Sequence, residues 1–121
     1  MKRVSLYKVL VLAAVVASCS NSSPADLVDV MPIPTVVSYS ANVKPIMDAN
    51  CVSCHGAVPN FGAPNSLNTY QTVRQSIENG ELLQRINKQP SDFMLMPQGG
   101  PKLPQNKIDI IQRWQDQGFN Q

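Results

Sequence analysis

A chain of 121 residues with ten basic and eight acidic side chains is long enough for one small domain and no more. The excess charge is small and the basic residues form no stripe, so the composition gives no reason to expect a nucleic-acid partner.

The first eighteen residues have the pattern of an export signal. Lys2, Arg3 and Lys8 give it a positive start, and residues 9–17 form an apolar run too short to cross a bilayer as a stable helix. We therefore predict a signal peptide over residues 1–18. Its removal leaves seven basic against eight acidic residues.

The end of this segment, Val16-Ala17-Ser18-Cys19, resembles the lipobox of bacterial lipoproteins. The resemblance implies cleavage before Cys19, lipid on its sulfur, and a periplasm-facing protein anchored to a bacterial membrane. Ser20 resembles the outer-membrane sorting pattern of some bacteria, which slightly favours that membrane. An ordinary secretory signal, cut near Ala17 and Ser18 with Cys19 left as a free thiol, is the alternative.

Residues 19–39 are predicted to be a flexible tether, because they are rich in Ser and Asn and contain three prolines that interrupt any helix. Packing of Val36 and Val37 on the domain is the alternative for the last part of this stretch. Residues 40–121 are then the folded domain.

The most specific feature of the sequence is Cys51-Val52-Ser53-Cys54-His55, because C-x-x-C-H is the attachment site of c-type haem. Two thiols three positions apart on a helical turn can form thioethers to the two vinyl groups of one porphyrin. The adjacent imidazole becomes the proximal iron ligand. We therefore predict one covalent haem c on Cys51, Cys54 and His55.

Three other interpretations of the two cysteines remain open: a thioredoxin-like redox pair, half of a zinc site, and a structural disulfide. A thioredoxin-like pair belongs to a βαβ pattern, which the sequence lacks. Structural zinc needs four N or S ligands, whereas His55 is the only histidine and Cys19 the only other cysteine.

After Asn42 the apolar residues recur at helical spacing in four short segments, which predicts an all-α domain. Asn42 is expected to be the first N-cap, because Pro45 then lies in the first turn, where proline is tolerated. Val43, Ile46 and Met47 share the apolar face of this segment. The other three segments are expected to run from about Thr69 to Asn79, over residues 82–86, and from about Pro104 to Gln117.

Together these features resemble the bacterial monohaem class I cytochromes c over residues 42–118. The resemblance rests on the C-x-x-C-H motif with Gly56, on Met96-Pro97-Gln98-Gly99-Gly100, and on a last helix with Trp114 followed by Gly118. It implies about four short helices wrapped round one haem, with the first and last helices crossing so that residues 46–47 lie near residues 111–114.

Because His55 is the only histidine, the sixth iron position cannot be a second histidine, which leaves Met, Lys, Asn, Tyr, water or nothing. Methionine suits an electron carrier best, since its thioether favours Fe(II). Met96 is the expected ligand: the proline after it favours an extended backbone, the next glycines let the loop approach the haem, and the resemblance points to the same residue. Met94 is the alternative, expected otherwise to be a core residue with Phe93 and Leu95.

In this family a proline carbonyl accepts a hydrogen bond from the proximal histidine, which makes Pro59 and Pro64 candidates, with Pro59 preferred. Other side chains near the expected haem have more than one interpretation. Trp114 is expected to be core packing beside the haem. The candidates for holding the haem propionates, each of which more commonly has a solvated surface role, are Arg74, Arg85 and Asn87.

The predicted function is electron transfer by a monomer whose one haem cycles between Fe(III) and Fe(II), with other redox proteins of the cell envelope as partners and no catalysis. A haem-based gas sensor or haem enzyme subunit with a displaceable sixth ligand is one alternative. A lipoprotein without haem, with a Cys51 to Cys54 disulfide and a role in protein interactions, is another.

Overall fold

The computed structural model of the chain describes residues 32–121. The predicted signal peptide, Cys19 and residues 20–31 of the predicted tether lie outside the described residues. Within 32–121 the chain is helical and has no strand, in agreement with the predicted all-α class. No helix in this part is long and apolar enough to cross a membrane.

The helical elements of the described part are a π-helical turn and four α-helices. In chain order they are the π turn Tyr39–Val43, α1 Lys44–Asn50, α2 Tyr70–Glu78, α3 Glu81–Ile86 and α4 Gln105–Asp116.

The first helical segment starts earlier than predicted, because Ser38 and not Asn42 is its N-cap. The Ser38 hydroxyl accepts from the Ala41 N–H at 3.2 Å, and the Ser38 N–H donates to the Asn42 side chain at 2.9 Å. Pro45 lies in the first turn of α1, where proline is tolerated, and the helical turn before it is a π turn and not a regular α-helical one. The prediction was wrong because it considered a regular α-helix alone.

The other three helices lie where the apolar spacing predicts them. Thr69 caps α2, its hydroxyl accepting from the Thr72 N–H at 3.2 Å. Gly80 separates α2 from α3, and Gly118 follows α4. Their φ angles of +77° and +80° are left-handed values that glycine adopts without strain.

Apolar faces of the π turn and of all four helices meet in one hydrophobic core. Trp114 of α4 is fully buried in it and donates its ring N–H to the Asn120 carbonyl at 2.7 Å. The rings of Tyr39, Tyr70 and Phe119 surround the indole with centroids 4.9 to 5.6 Å away. The π turn packs on α4, so the first and last helical segments share this core.

Residues 33–38, which we call the N-terminal strap, are packed on the domain. Val37 is fully buried and its N–H donates to the Gln117 side chain at 2.8 Å. Side chains of Arg113 and Gln117 donate to the carbonyls of Pro34 at 3.1 Å and Thr35 at 2.7 Å. Val37 therefore packs on the domain, as the alternative for this stretch expects, whereas Val36 is 69% exposed, and Ile33 lies at the edge of the core.

Candidate cofactor site

The C-x-x-C-H motif forms a helical turn that continues α1. The N–H groups of Cys51 and Val52 donate to the Met47 carbonyl at 2.8 and 3.1 Å, and the His55 N–H donates to the Cys51 carbonyl at 2.8 Å. A Cβ at Gly56 would lie 3.1 Å from the Val52 carbonyl oxygen, so there is little room for a side chain at the end of this turn. The turn places both thiols and the imidazole along one wall of a cavity.

The loop after the motif, residues 56–68, which we call the return loop, folds back to His55 and fixes its ring. The Leu67 N–H donates to the His55 carbonyl at 2.8 Å, and His55 Nδ1 lies 2.8 Å from the Asn65 carbonyl oxygen. Because a carbonyl oxygen only accepts, Nδ1 is the donor in this contact, and in the neutral imidazole the lone pair is then on Nε2. The predicted acceptors, Pro59 and Pro64, were both wrong, because the loop brings the carbonyl one residue after Pro64 to the ring.

Asn65 connects the histidine to α2. Its side-chain amide donates to the Ser76 hydroxyl in a long hydrogen bond of 3.4 Å. Ser76 is a polar side chain only 4% exposed, and it lines the same cavity. Asn65, whose carbonyl accepts from His55, is thus itself bound to Ser76 of α2.

The cavity beside the motif has a volume of about 630 Å³, within the range of about 300–1,000 Å³ typical of small-molecule and cofactor sites. Its walls come from the motif turn, the return loop, α2, α3 and the loop before α4. Its apolar and sulfur-bearing lining includes Cys51, Cys54, Phe61, Leu67, Leu82, Ile86, Met94 and Met96. The charged lining residues are Glu81 and Arg85.

Residues 92–100, which we call the methionine loop, bring both candidate methionines to the cavity. The Met96 N–H donates to the Arg85 carbonyl at the end of α3, at 3.3 Å. Met94 lines the cavity as well, so its predicted place in the core was wrong. Phe93, also expected in the core, is 82% exposed, whereas Leu95 is 7% exposed and buried as expected.

Cys51 and Cys54 are free thiols in this structure. Burial, with a smaller contribution from Cys54, raises the pKa of the Cys51 thiol to about 11. A redox-catalytic cysteine needs a lowered pKa, so this microenvironment disfavours the thioredoxin-like interpretation. The described residues contain no group of three or more His, Cys, Asp and Glu side chains that could hold a metal ion.

Of the three predicted propionate-binding candidates, the structure brings Arg85 to the cavity and leaves the other two elsewhere. Arg74 pairs with Glu78 at 2.9 Å, and the Asn87 side chain donates to a carbonyl of its own helix at 2.9 Å. Trp114 packs in the core as predicted but is not among the cavity-lining residues.

Sequence reasoning missed Asn65, Ser76 and Asp92. Asn65 reaches His55, and Ser76 reaches Asn65, through loop folding, for which the local sequence gives no signal. Asp92 was detectable in principle, because an Asp two residues before the backbone N–H that it binds is a common turn pattern. Its side chain accepts from the Met94 N–H at 2.8 Å.

No protein-family model, curated protein or solved structure matches this chain. Function is therefore inferred from the geometry of the site and from the sequence motif.

Proposed function

We propose that this chain is a class I-type cytochrome c domain whose one covalent haem carries single electrons in the bacterial cell envelope. The observation that supports this best is the cavity of about 630 Å³, on which both thiols of the motif, the only histidine of the chain and two methionines converge. A thioredoxin pair, a zinc half-site or a disulfide would not need the methionines there.

The residues at the cavity fit a haem c. Both thiols are free, as thioether formation requires, because each S–H adds across one vinyl double bond without an oxidant. His55 holds its Nδ1 proton against the Asn65 carbonyl, 2.8 Å away, which leaves Nε2 available to a metal, as in other sites where the second ring nitrogen is fixed by a carbonyl. When bound, the haem supplies an iron that takes up and releases one electron.

We propose that Met96, together with His55, would hold the haem iron. Its backbone is tied to the end of α3 by the bond to the Arg85 carbonyl, 3.3 Å long, and its thioether would favour Fe(II) and so raise the reduction potential. An iron held by two protein side chains would serve electron transfer and not substrate binding. The chain also has no second histidine to serve as an acid or base. A carrier is therefore the better proposal than an enzyme.

The proposal for the compartment comes from the sequence alone. An export signal over residues 1–18 and lipid on Cys19 would hold a monomeric domain on the periplasmic side of a membrane, where other redox proteins are its partners. Thioether attachment outside the cytoplasm, as in the families that this chain resembles, agrees with export.

The test is a redox titration of full-length protein matured in a host that has haem-attachment machinery. We expect one haem per chain, a one-electron Nernst curve, and little reaction of the reduced protein with CO. Rapid and strong CO binding would favour the sensor or enzyme alternative. A well-folded product that never acquires haem would favour the non-haem interaction protein.

A further inference from the structure

We propose that Asp92 is the positioning residue of the methionine loop: its carboxylate fixes the backbone that presents Met96 to the cavity. The inference rests on the proposed function, because Met96 is assigned there as an iron ligand. Asp92 itself is not among the cavity-lining residues, so its effect on the site is indirect.

Three successive backbone N–H groups of the loop have defined acceptors. The Met94 N–H donates to Asp92 Oδ1 at 2.8 Å, and the Leu95 N–H donates to the Asp92 carbonyl at 3.0 Å. The Met96 N–H donates to the Arg85 carbonyl at 3.3 Å. Asp92 therefore receives two of the three bonds, and the direction in which Met96 leaves the loop depends on them.

The carboxylate is itself held in place by Lys88, which follows the end of α3. Lys88 Nζ lies 2.9 Å from Asp92 Oδ2, and the two side chains are only 28% and 33% exposed. The hydrogen bond from Lys88 and then that from the Met94 N–H lower the pKa of Asp92. One carboxylate oxygen thus binds the lysine and the other binds the loop, which couples the segment just after α3 to the methionine loop.

The two other ion pairs of the described part lack this coupling. Lys44 with Asp48 and Arg74 with Glu78 are also four residues apart, but each lies on one helix and its side chains are 44% to 49% exposed. The Lys44–Asp48 pair has the same residue types in the same order as Lys88–Asp92. Asp48 is therefore a matched control that tests loss of an ion pair without loss of a loop contact.

Removal of the Asp92 carboxylate should make Met96 easier to displace from the iron. Asp92→Ala leaves the Met94 N–H without its acceptor and Lys88 without its partner. Asp92→Asn keeps an acceptor oxygen but loses the charge. The ease of displacement should therefore rise from wild type through Asp92→Asn to Asp92→Ala.

The experiment measures the apparent affinity of the oxidised holoprotein for added imidazole, followed by loss of the far-red absorption band that Met-ligated Fe(III) gives. We expect roughly three- to tenfold tighter binding by Asp92→Ala, since the lost bond involves a charged but partly exposed group. Asp92→Asn should be intermediate and Asp48→Ala unchanged.

Wild-type affinity in both Asp92 variants would overturn the inference, as would an equal increase in Asp48→Ala. If Asp92→Ala fails to mature, Asp92→Asn decides alone, and wild-type behaviour of that variant rejects a positioning role. A wild-type protein without haem or without the far-red band would instead contradict the proposed function, so the two failures are distinguishable.

Discussion

The orientation of the His55 side chain depends on a backbone carbonyl ten residues away. Its Nδ1 proton is donated to the Asn65 carbonyl at 2.8 Å, and that carbonyl belongs to a loop pinned at the His55 carbonyl by Leu67. Partners of this kind orient a ligating imidazole and increase its basicity, and their loss commonly costs 10- to 100-fold in metal affinity or activity. The residues between the motif and α2 therefore belong to the site.

The two methionines of the loop provide a direct test at this scale. Met96→Ala should remove the far-red band of the oxidised protein and lower the reduction potential by on the order of 100 mV, because the thioether ligand is lost. Met94→Ala should keep the band and a near wild-type potential, although it lines the same cavity. The reverse pattern would assign the iron to Met94.

Gly56 provides a second test, of the motif turn itself. A Cβ there would lie 3.1 Å from the Val52 carbonyl, so Gly56→Ala should shift the backbone beside the cysteines and cost roughly 1–3 kcal/mol in stability. The matched control is Gly100→Ala, whose Cβ would meet its nearest atom at 3.8 Å and should cost less than about 0.5 kcal/mol. Urea unfolding of both holoproteins measures the difference, and equal midpoints would contradict the turn geometry described here.

Helices and loops differ in how far the sequence predicts them. α2 and α4 were located correctly because their apolar residues recur at helical spacing and their ends carry Thr69 and Gly118. The start of the first helical segment was predicted wrongly, because the helical turn before Pro45 is a π turn, which apolar spacing does not reveal. Periodicity therefore predicts the regular elements and misses a local departure from them.

The clustering of the candidate residues was predictable from the sequence, but the contacts that hold them in place were not. Cys51, Cys54, His55 and Met96 were all expected at one site from motif and resemblance, and the structure brings all four to one cavity. The acceptor for His55 was not found, because a backbone carbonyl ten residues away has no side-chain signature. Which carbonyl accepts from His55 depends on the path of the loop after the motif.

The N-terminal strap is an element that composition alone misassigns, and a pair of neighbouring valines tests it. Val37 is fully buried whereas Val36 is 69% exposed. Val37→Ala should destabilise the domain by roughly 1.5–3 kcal/mol through lost apolar burial, and Val36→Ala should change stability by less than about 0.5 kcal/mol. Thermal unfolding distinguishes them, and equal effects would place the strap outside the cooperative fold.

The described domain as a whole contains one hydrophobic core and a cavity of about 630 Å³. A chain of this length buries only a modest core of its own. In the proposal a bound porphyrin completes the apolar interior between the motif turn, α3 and the methionine loop. Stability should therefore depend on the cofactor as well as on the sequence.

The paired substitution Cys51→Ala, Cys54→Ala tests this dependence. We expect the variant to be less stable than wild-type holoprotein by more than about 3 kcal/mol, which lowers Tm by at least roughly 10 °C for a domain of this size. Ser53→Ala, at an exposed position of the same turn, is the control and should unfold like wild type. A double variant as stable as wild type would support the non-haem interaction protein.

A pair of absorption spectra, oxidised and dithionite-reduced, of full-length protein matured in a host with haem-attachment machinery decides whether the chain carries a covalent haem. We expect a sharp reduced α-band that stays with the chain after denaturation, together with a far-red band in the oxidised protein. A purified, folded chain with no covalently attached haem would contradict the proposed function.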